Sequence, residues 1–175
     1  MTSASLSERV AALIQDVPDY PTPGVLFKDI TPVLGDGPTF AEVVARIADH
    51  APPVDLVVGM EARGFILGAP VAVHLGVGFV PVRKEGKLPR RTLAGAYDLE
   101  YGSAVLEVHA DSVRPGARVL VVDDVLATGG TAAATVKLLE LAGAQVVGLT
   151  FLMELAFLHG REPLAGRNLD VLLTC

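Results

Sequence analysis

The 175-residue chain contains a single cysteine, Cys175, and no tryptophan, with three tyrosines and six phenylalanines as its whole aromatic content. One thiol cannot close an intrachain disulfide or build a cysteine metal cluster, and its isolation points to a reducing, cytoplasmic setting. No apolar run approaches the roughly 20 residues of a membrane span. Met1 to Val17 carries Glu8, Arg9 and Asp16 where a signal peptide needs an uninterrupted apolar stretch. Positive charge is also scarce: 14 Lys and Arg against 20 Asp and Glu leave a net charge of −6. That balance argues against a nucleic acid partner, whose binding rests on many cations facing phosphates. The expected partner is a small molecule, with no membrane and no nucleic acid. The four histidines, His50, His74, His109 and His159, show no metal-ligand spacing. What is abundant is small and apolar. At 51% hydrophobic, with no linker, the chain is sized for one domain, residues 1–175, around an alanine- and valine-rich parallel sheet buried on both faces.

Punctuation along the chain divides it into alternating elements. Ser5 and Glu8 have capping-box spacing and predict a helix over 6–15; Pro18, Pro21, Pro23 and Gly24 break regular structure before an extended segment over 25–32. Thr39 and Glu42 repeat the capping spacing for a helix reaching His50. Apolar runs predict strands at 56–59, 79–82, 119–122, 146–153 and 169–173, and helices are expected from the loop at 60–64 to about 72 and over 131–142. The stretch 83–95 is too polar and glycine-rich for core and reads as a mobile loop; 97–100 and 104–109, separated by Gly102-Ser103, read as an antiparallel hairpin. Strands alternating with helices predict an α/β fold with a doubly wound, mostly parallel central sheet flanked by helices, and ligand contacts at the carboxyl ends of its strands.

The most informative stretch is Val119 to Thr131, Val-Leu-Val-Val-Asp-Asp-Val-Leu-Ala-Thr-Gly-Gly-Thr. An apolar strand runs into two carboxylates and then, through a turn of small residues, into a helix. The N–H groups of Ala127, Thr128, Gly129, Gly130 and Thr131 can converge on phosphate oxygens, because a helix start leaves donors unpaired and partly positive. Asp123 and Asp124 are placed to accept from a ribose diol, directly or through a metal or water. The lysine of a P-loop is lacking. Gly59 to Phe65, Gly-Met-Glu-Ala-Arg-Gly-Phe, sits at another strand end, where Glu61, Ala62 and Arg63 offer main-chain donors and a planar cation to a diphosphate. In Arg83 to Thr92 five basic residues face one acid. Arg83, Lys84 and Lys87 can close over the diphosphate, exclude water and stabilise its departing charge; a solvated surface loop or a small RNA-contact patch is the alternative. Beyond it, Glu100 can orient or deprotonate a nitrogenous acceptor, with Tyr101 beside it. In Pro23 to Pro32, Leu26 and Phe27 can sandwich a flat base while main-chain groups near Lys28 read its edge.

Taken in order, these motifs resemble the type I phosphoribosyltransferases, and among them the adenine-using branch; the resemblance covers nearly the whole chain. It implies the type I fold with a small N-terminal hood at about 1–35 and a flexible catalytic loop at about 83–95. It implies attack by adenine N9 on ribose C1 of 5-phosphoribosyl 1-diphosphate (PRPP), giving AMP and diphosphate, with Mg2+ bridging diphosphate and ribose hydroxyls. It further implies a cis non-proline peptide near Glu61–Ala62, Leu155 at the base, and a homodimer. Catalytic roles fall to Glu100, Arg63 and Lys87. Two alternatives stay open: a related enzyme acting on orotate or a 6-oxopurine, and a PRPP-sensing regulator without turnover.

Overall fold

The central strands are nearly continuous apolar runs because both of their faces are covered. Along Val119 to Val122, alternate residues enter two different cores: Val119 and Val121 pack on one side, Leu120 and Val122 on the other. The computed structural model of the chain describes residues 4–98 and 103–175.

In chain order the elements are α1 (Leu6–Leu13), β1 (Gln15–Pro18), β2 (Leu26–Asp29), α2 (Thr31–Gly35), α3 (Gly37–His50), β3 (Leu56–Met60), α4 (Arg63–Leu75), β4 (Gly78–Lys84), β5 (Thr92–Asp98), β6 (Ser103–His109), β7 (Arg118–Leu126), α5 (Gly130–Leu141), β8 (Gln145–Glu154) and β9 (Leu169–Thr174). The seven-stranded sheet has the order β5-β6-β4-β3-β7-β8-β9; β4, β3, β7, β8 and β9 are parallel, and the β5-β6 hairpin adds an antiparallel edge. The expected doubly wound α/β sheet is borne out. One core lies between the sheet and α5, with Ala132, Val136 and Leu139 buried at helical spacing. The other is covered by α1, α3 and α4 and holds Val10, Ile47, Leu67 and Val71.

Several boundaries differ from the sequence reading for physical reasons. The Ser5–Glu8 capping box forms, but its helix stops at Leu13, and Gln15–Pro18 pairs antiparallel with Leu26–Asp29 as a small separate sheet. The segment expected to stay extended to Pro32 instead turns at Ile30 into α2, whose first turn tolerates Pro32 because that position needs no N–H donor. Thr39 does not cap α3: Asp36 does, accepting from the Thr39 N–H at 2.9 Å, while Thr39 itself is buried. The loop expected over 83–95 is shorter, since Arg83 and Lys84 belong to β4 and Thr92 already starts β5. The strand expected to end at Val122 continues to Leu126, so the acidic pair lies within β7.

β3 is followed by β4 on one side, yet β7 lies against its other side. Crossovers diverge at this point, and the loops after β3 and β7 leave a crevice at the strands' carboxyl ends.

Candidate active site

The crevice holds a cavity of about 780 Å³. Three loops supply its polar wall. From β7 come Asp123 and Asp124, then Ala127, Thr128, Gly129 and Thr131; from β3 come Glu61, Ala62 and Arg63; from β4 comes Lys84. The β1-β2 hairpin closes another side with Leu26, Phe27 and Lys28, and Leu155 lies beyond the end of β8. Residues spread over most of the chain are thus brought to one place, as the motifs required.

The turn between β7 and α5 opens its helix start toward the cavity for reasons of local geometry. Gly129, at φ 79, reverses the chain where a side chain would be strained, and α5 begins immediately after it with no side-chain cap. Its first N–H groups therefore face outward without intrahelical partners. Gly130 is the first helical residue and does not itself line the cavity.

Asp124 is buried, and its Oδ2 lies 2.5 Å from Arg63 Nε. No donor is aligned with that oxygen, so the contact is one of charge rather than a directed hydrogen bond. Asp123 Oδ1 accepts from the Asp124 N–H at 2.9 Å. Enclosure by protein, and then the adjacent Asp124 charge, push the Asp123 carboxyl well above its ordinary value, Arg63 only partly offsetting them. The pair is thus short of hydrogen-bond donors and of positive charge, which a ribose diol and a cation would supply. Helix α4 approaches closely here because Gly64 has no side chain: a Cβ there would lie 2.7 Å from the Val122 carbonyl oxygen and 2.8 Å from Asp123 Oδ1.

Arg63 also reaches the hairpin, its Cζ standing 5.0 Å from the centre of the Phe27 ring. Phe27 is buttressed edge-on by Tyr20, with ring centres 5.2 Å apart. Lys28 is turned aside, its Nζ 2.7 Å from Asp16 Oδ1. The Glu61–Ala62 peptide is cis. The Glu61 carboxylate accepts from Arg83 at both oxygens, at 3.1 Å each, and from the Lys84 N–H at 3.1 Å; Arg83 first, then Lys84 and the charge of Lys87, hold Glu61 below its usual range. Arg83 also donates to the Lys87 carbonyl. Arg83 and Lys87 thus stand at the base of the cationic loop without lining the cavity, and the loop is tethered on its far side by Glu107, which accepts from the Gly86 N–H, and by an Arg90–Asp111 pair. Glu100 and Tyr101 lie outside the described residues.

A family model, phosphoribosyl transferase domain, matches residues 33–165. The adenine phosphoribosyltransferase of Acidothermus cellulolyticus is 59% identical over 99% of this chain and 99% of its own length. The chain belongs to the adenine phosphoribosyltransferase family. Among solved adenine phosphoribosyltransferases, that of Thermoanaerobacter pseudethanolicus superposes with a TM-score of 0.94 at 48% identity, covering 98% of this chain and 100% of its own. That of Saccharomyces cerevisiae, complexed with an imino-altritol bisphosphate and adenine, gives 0.89 at 35% identity over 95% and 98%.

Several cavity residues of this phosphoribosyltransferase carried no signal in the sequence. Met60, Leu106, Leu126 and Phe151 line it from the strands and read as core, and Leu158 lines it from the short turn Ala156–Leu158. The spacing of Leu158 three residues after Leu155 was the one available clue, since a single turn carries both to the same rim.

Proposed function

We infer that this chain transfers the 5-phosphoribosyl group of PRPP to N9 of adenine, releasing diphosphate and forming AMP in purine salvage. One observation carries the reading: the acidic pair, the small-residue turn and the Arg63 loop converge on a single cavity at the switch point of the sheet. That spacing suits a ribose held at its 5-phosphate, its diol and its C1 substituent together.

The N–H groups of Ala127 to Thr131 hold the 5-phosphate, with hydroxyls from Thr128 and Thr131. Asp123 and Asp124 accept from the ribose hydroxyls. Main-chain groups of Glu61 and Ala62, with the cations of Arg63 and Lys84, take the diphosphate, and Arg83 and Lys87, at the base of the cationic loop, join them as it closes over the leaving group and stabilise its charge as the bond to C1 lengthens. Leu26, Phe27 and Leu155 flank the adenine ring, main-chain groups at Lys28 read its edge, and Glu100 orients or accepts the proton of the attacking base. Rate comes mainly from holding N9 and C1 in line, with water excluded by the hairpin on one side and by the cationic loop on the other.

Among the described residues no three His, Cys, Asp or Glu side chains cluster to hold a metal. The hard oxygens of Asp123 and Asp124 nevertheless suit the neighbourhood of Mg2+, which they would meet through the ribose hydroxyls or water while substrate and water supply its ligands. When bound, the ion supplies neutralisation of the leaving group's charge. A cytoplasmic homodimer completes the proposal, the first from the lone thiol and the second from the family.

The test is nucleotide formation from PRPP and Mg2+ with adenine, hypoxanthine, guanine and orotate in turn. AMP should dominate; the absence of product with adenine overturns the reading. Glu100→Gln should slow turnover with adenine, and a wild-type rate in that variant would remove Glu100 from the mechanism.

A further inference from the structure

Two turns from separate segments meet behind the phosphate cup. A Cβ on Gly160 would collide with the Ala127 carbonyl oxygen and stand 2.9 Å from Leu126 Cγ; a Cβ on Gly129 would collide with the Gly160 carbonyl oxygen and stand 3.2 Å from Pro163 Cγ. Backbone therefore lies directly on backbone, and the cup's position follows from where the segment over 155–164 sits. That segment belongs to no strand or long helix. It consists of two short turns, Ala156–Leu158 and Glu162–Leu164, joined through His159 at φ 54.

Among the described residues, its one charged tie is made by Arg161. The guanidinium reaches back to Glu154 at the end of β8, with Nε 2.8 Å from Oε1 and Nη2 2.7 Å from Oε2. The Glu154 side chain is 6% exposed and that of Arg161 54% exposed. A buried carboxylate at the end of an inner strand is a fixed anchor, and a two-pronged grip on it leaves the gripping residue little angular freedom. Neither side chain lines the cavity, so any effect on ligands passes through Gly160.

The geometry points to Arg161, gripping Glu154, as a positioning residue for the 5-phosphate site: it presses Gly160 against Ala127–Gly129, so that the cup's N–H groups are aimed before the ligand arrives. The Glu61–Arg63 loop, read as the diphosphate site, is held by different groups, Arg83 and the Lys84 N–H on the Glu61 carboxylate, so loss of Arg161 should act on the phosphomonoester end alone. This assignment rests on the reading of the cavity as a PRPP and AMP site.

The experiment compares the full chain with Arg161→Ala and Arg161→Lys, using initial rates of AMP formation and calorimetric titration with AMP and, separately, inorganic diphosphate. Arg161→Ala should raise the KM for PRPP and the Kd for AMP about tenfold, the effect of one lost charged hydrogen-bond pair. The kcat at saturating PRPP should stay within about twofold, the signature of lost binding rather than lost chemistry. Diphosphate should bind as before, and the lysine variant, which keeps the charge but not the fork, should fall between. An unchanged KM for PRPP overturns the proposal, as does a fall in kcat at constant KM or equal weakening toward AMP and diphosphate. Should the alanine variant fail to fold, a wild-type KM in Arg161→Lys overturns it equally. Failure of the wild-type chain to make AMP would instead overturn the functional reading beneath it.

Discussion

At Asp123, burial and the neighbouring Asp124 carboxylate both oppose ionisation, so the residue proposed to serve the ribose also weakens the folded state. The folded state holds this proton to higher pH than the unfolded chain, whose ordinary value is 3.8. Stability is then unaffected below that value and falls as pH rises from it toward the raised folded value. Asp123→Asn removes the titration. Thermal unfolding of the ligand-free variant should therefore match wild type near pH 4 and exceed it increasingly toward pH 8, whereas AMP formation should drop by at least about tenfold through loss of the hydrogen-bonding charge. A variant no more stable than wild type at pH 8 would show that Asp123 bears no such burden. Arg63 is the counterpart: its single guanidinium faces Asp124 on one side and the Phe27 ring on the other, so one side chain links the acidic pair to the hairpin wall of the cavity.

Among the elements, α1 and the β7-α5 turn make opposite uses of the same physics. In α1 the Ser5 side chain and Glu8 satisfy each other's backbone donors, and the helix is far in function from the cavity. Ser5→Ala should lower the midpoint of thermal unfolding and leave turnover unchanged. At α5 the donors are left free for a ligand. There Gly129→Ala sets a side chain at φ 79 and against the Gly160 carbonyl, costing about 1–3 kcal/mol of stability. With the 5-phosphate held by the same turn, as proposed, the KM for PRPP should rise more steeply than stability falls. Denaturant unfolding together with initial rates separates the two effects, and a Gly129→Ala enzyme with wild-type KM would dissociate the turn from phosphate.

The whole molecule is two cores sharing one sheet. Leu139 on α5 and Leu67 on α4 are both fully buried, in different cores. Each replacement by alanine should cost about 2–5 kcal/mol, the range for buried leucine truncation. With the sheet between them, the two losses should add to within about 0.5 kcal/mol in the double variant, measured by urea unfolding. A markedly smaller sum would mean that the faces communicate through the strands. No described helix is long and apolar enough to cross a membrane.

What the amino-acid sequence by itself determined is whatever depends on neighbours in the chain. Unalternating apolar runs such as Val119 to Val122 implied a sheet covered on both faces, and Asp-Asp-Val-Leu-Ala-Thr-Gly-Gly-Thr implied a phosphate cup, because its carboxylates and free N–H groups come from consecutive residues. Local signals misled elsewhere: Thr39 has capping spacing with Glu42, yet Asp36 caps α3 and Thr39 lies buried within its first turn. The tertiary structure alone chose the long-range partners, setting Arg63 on Asp124, Arg83 on Glu61 and Gly160 behind Gly129. Such pairings follow from which strands the crossovers bring together. A charge or a missing Cβ in the chain carries no record of what it will face.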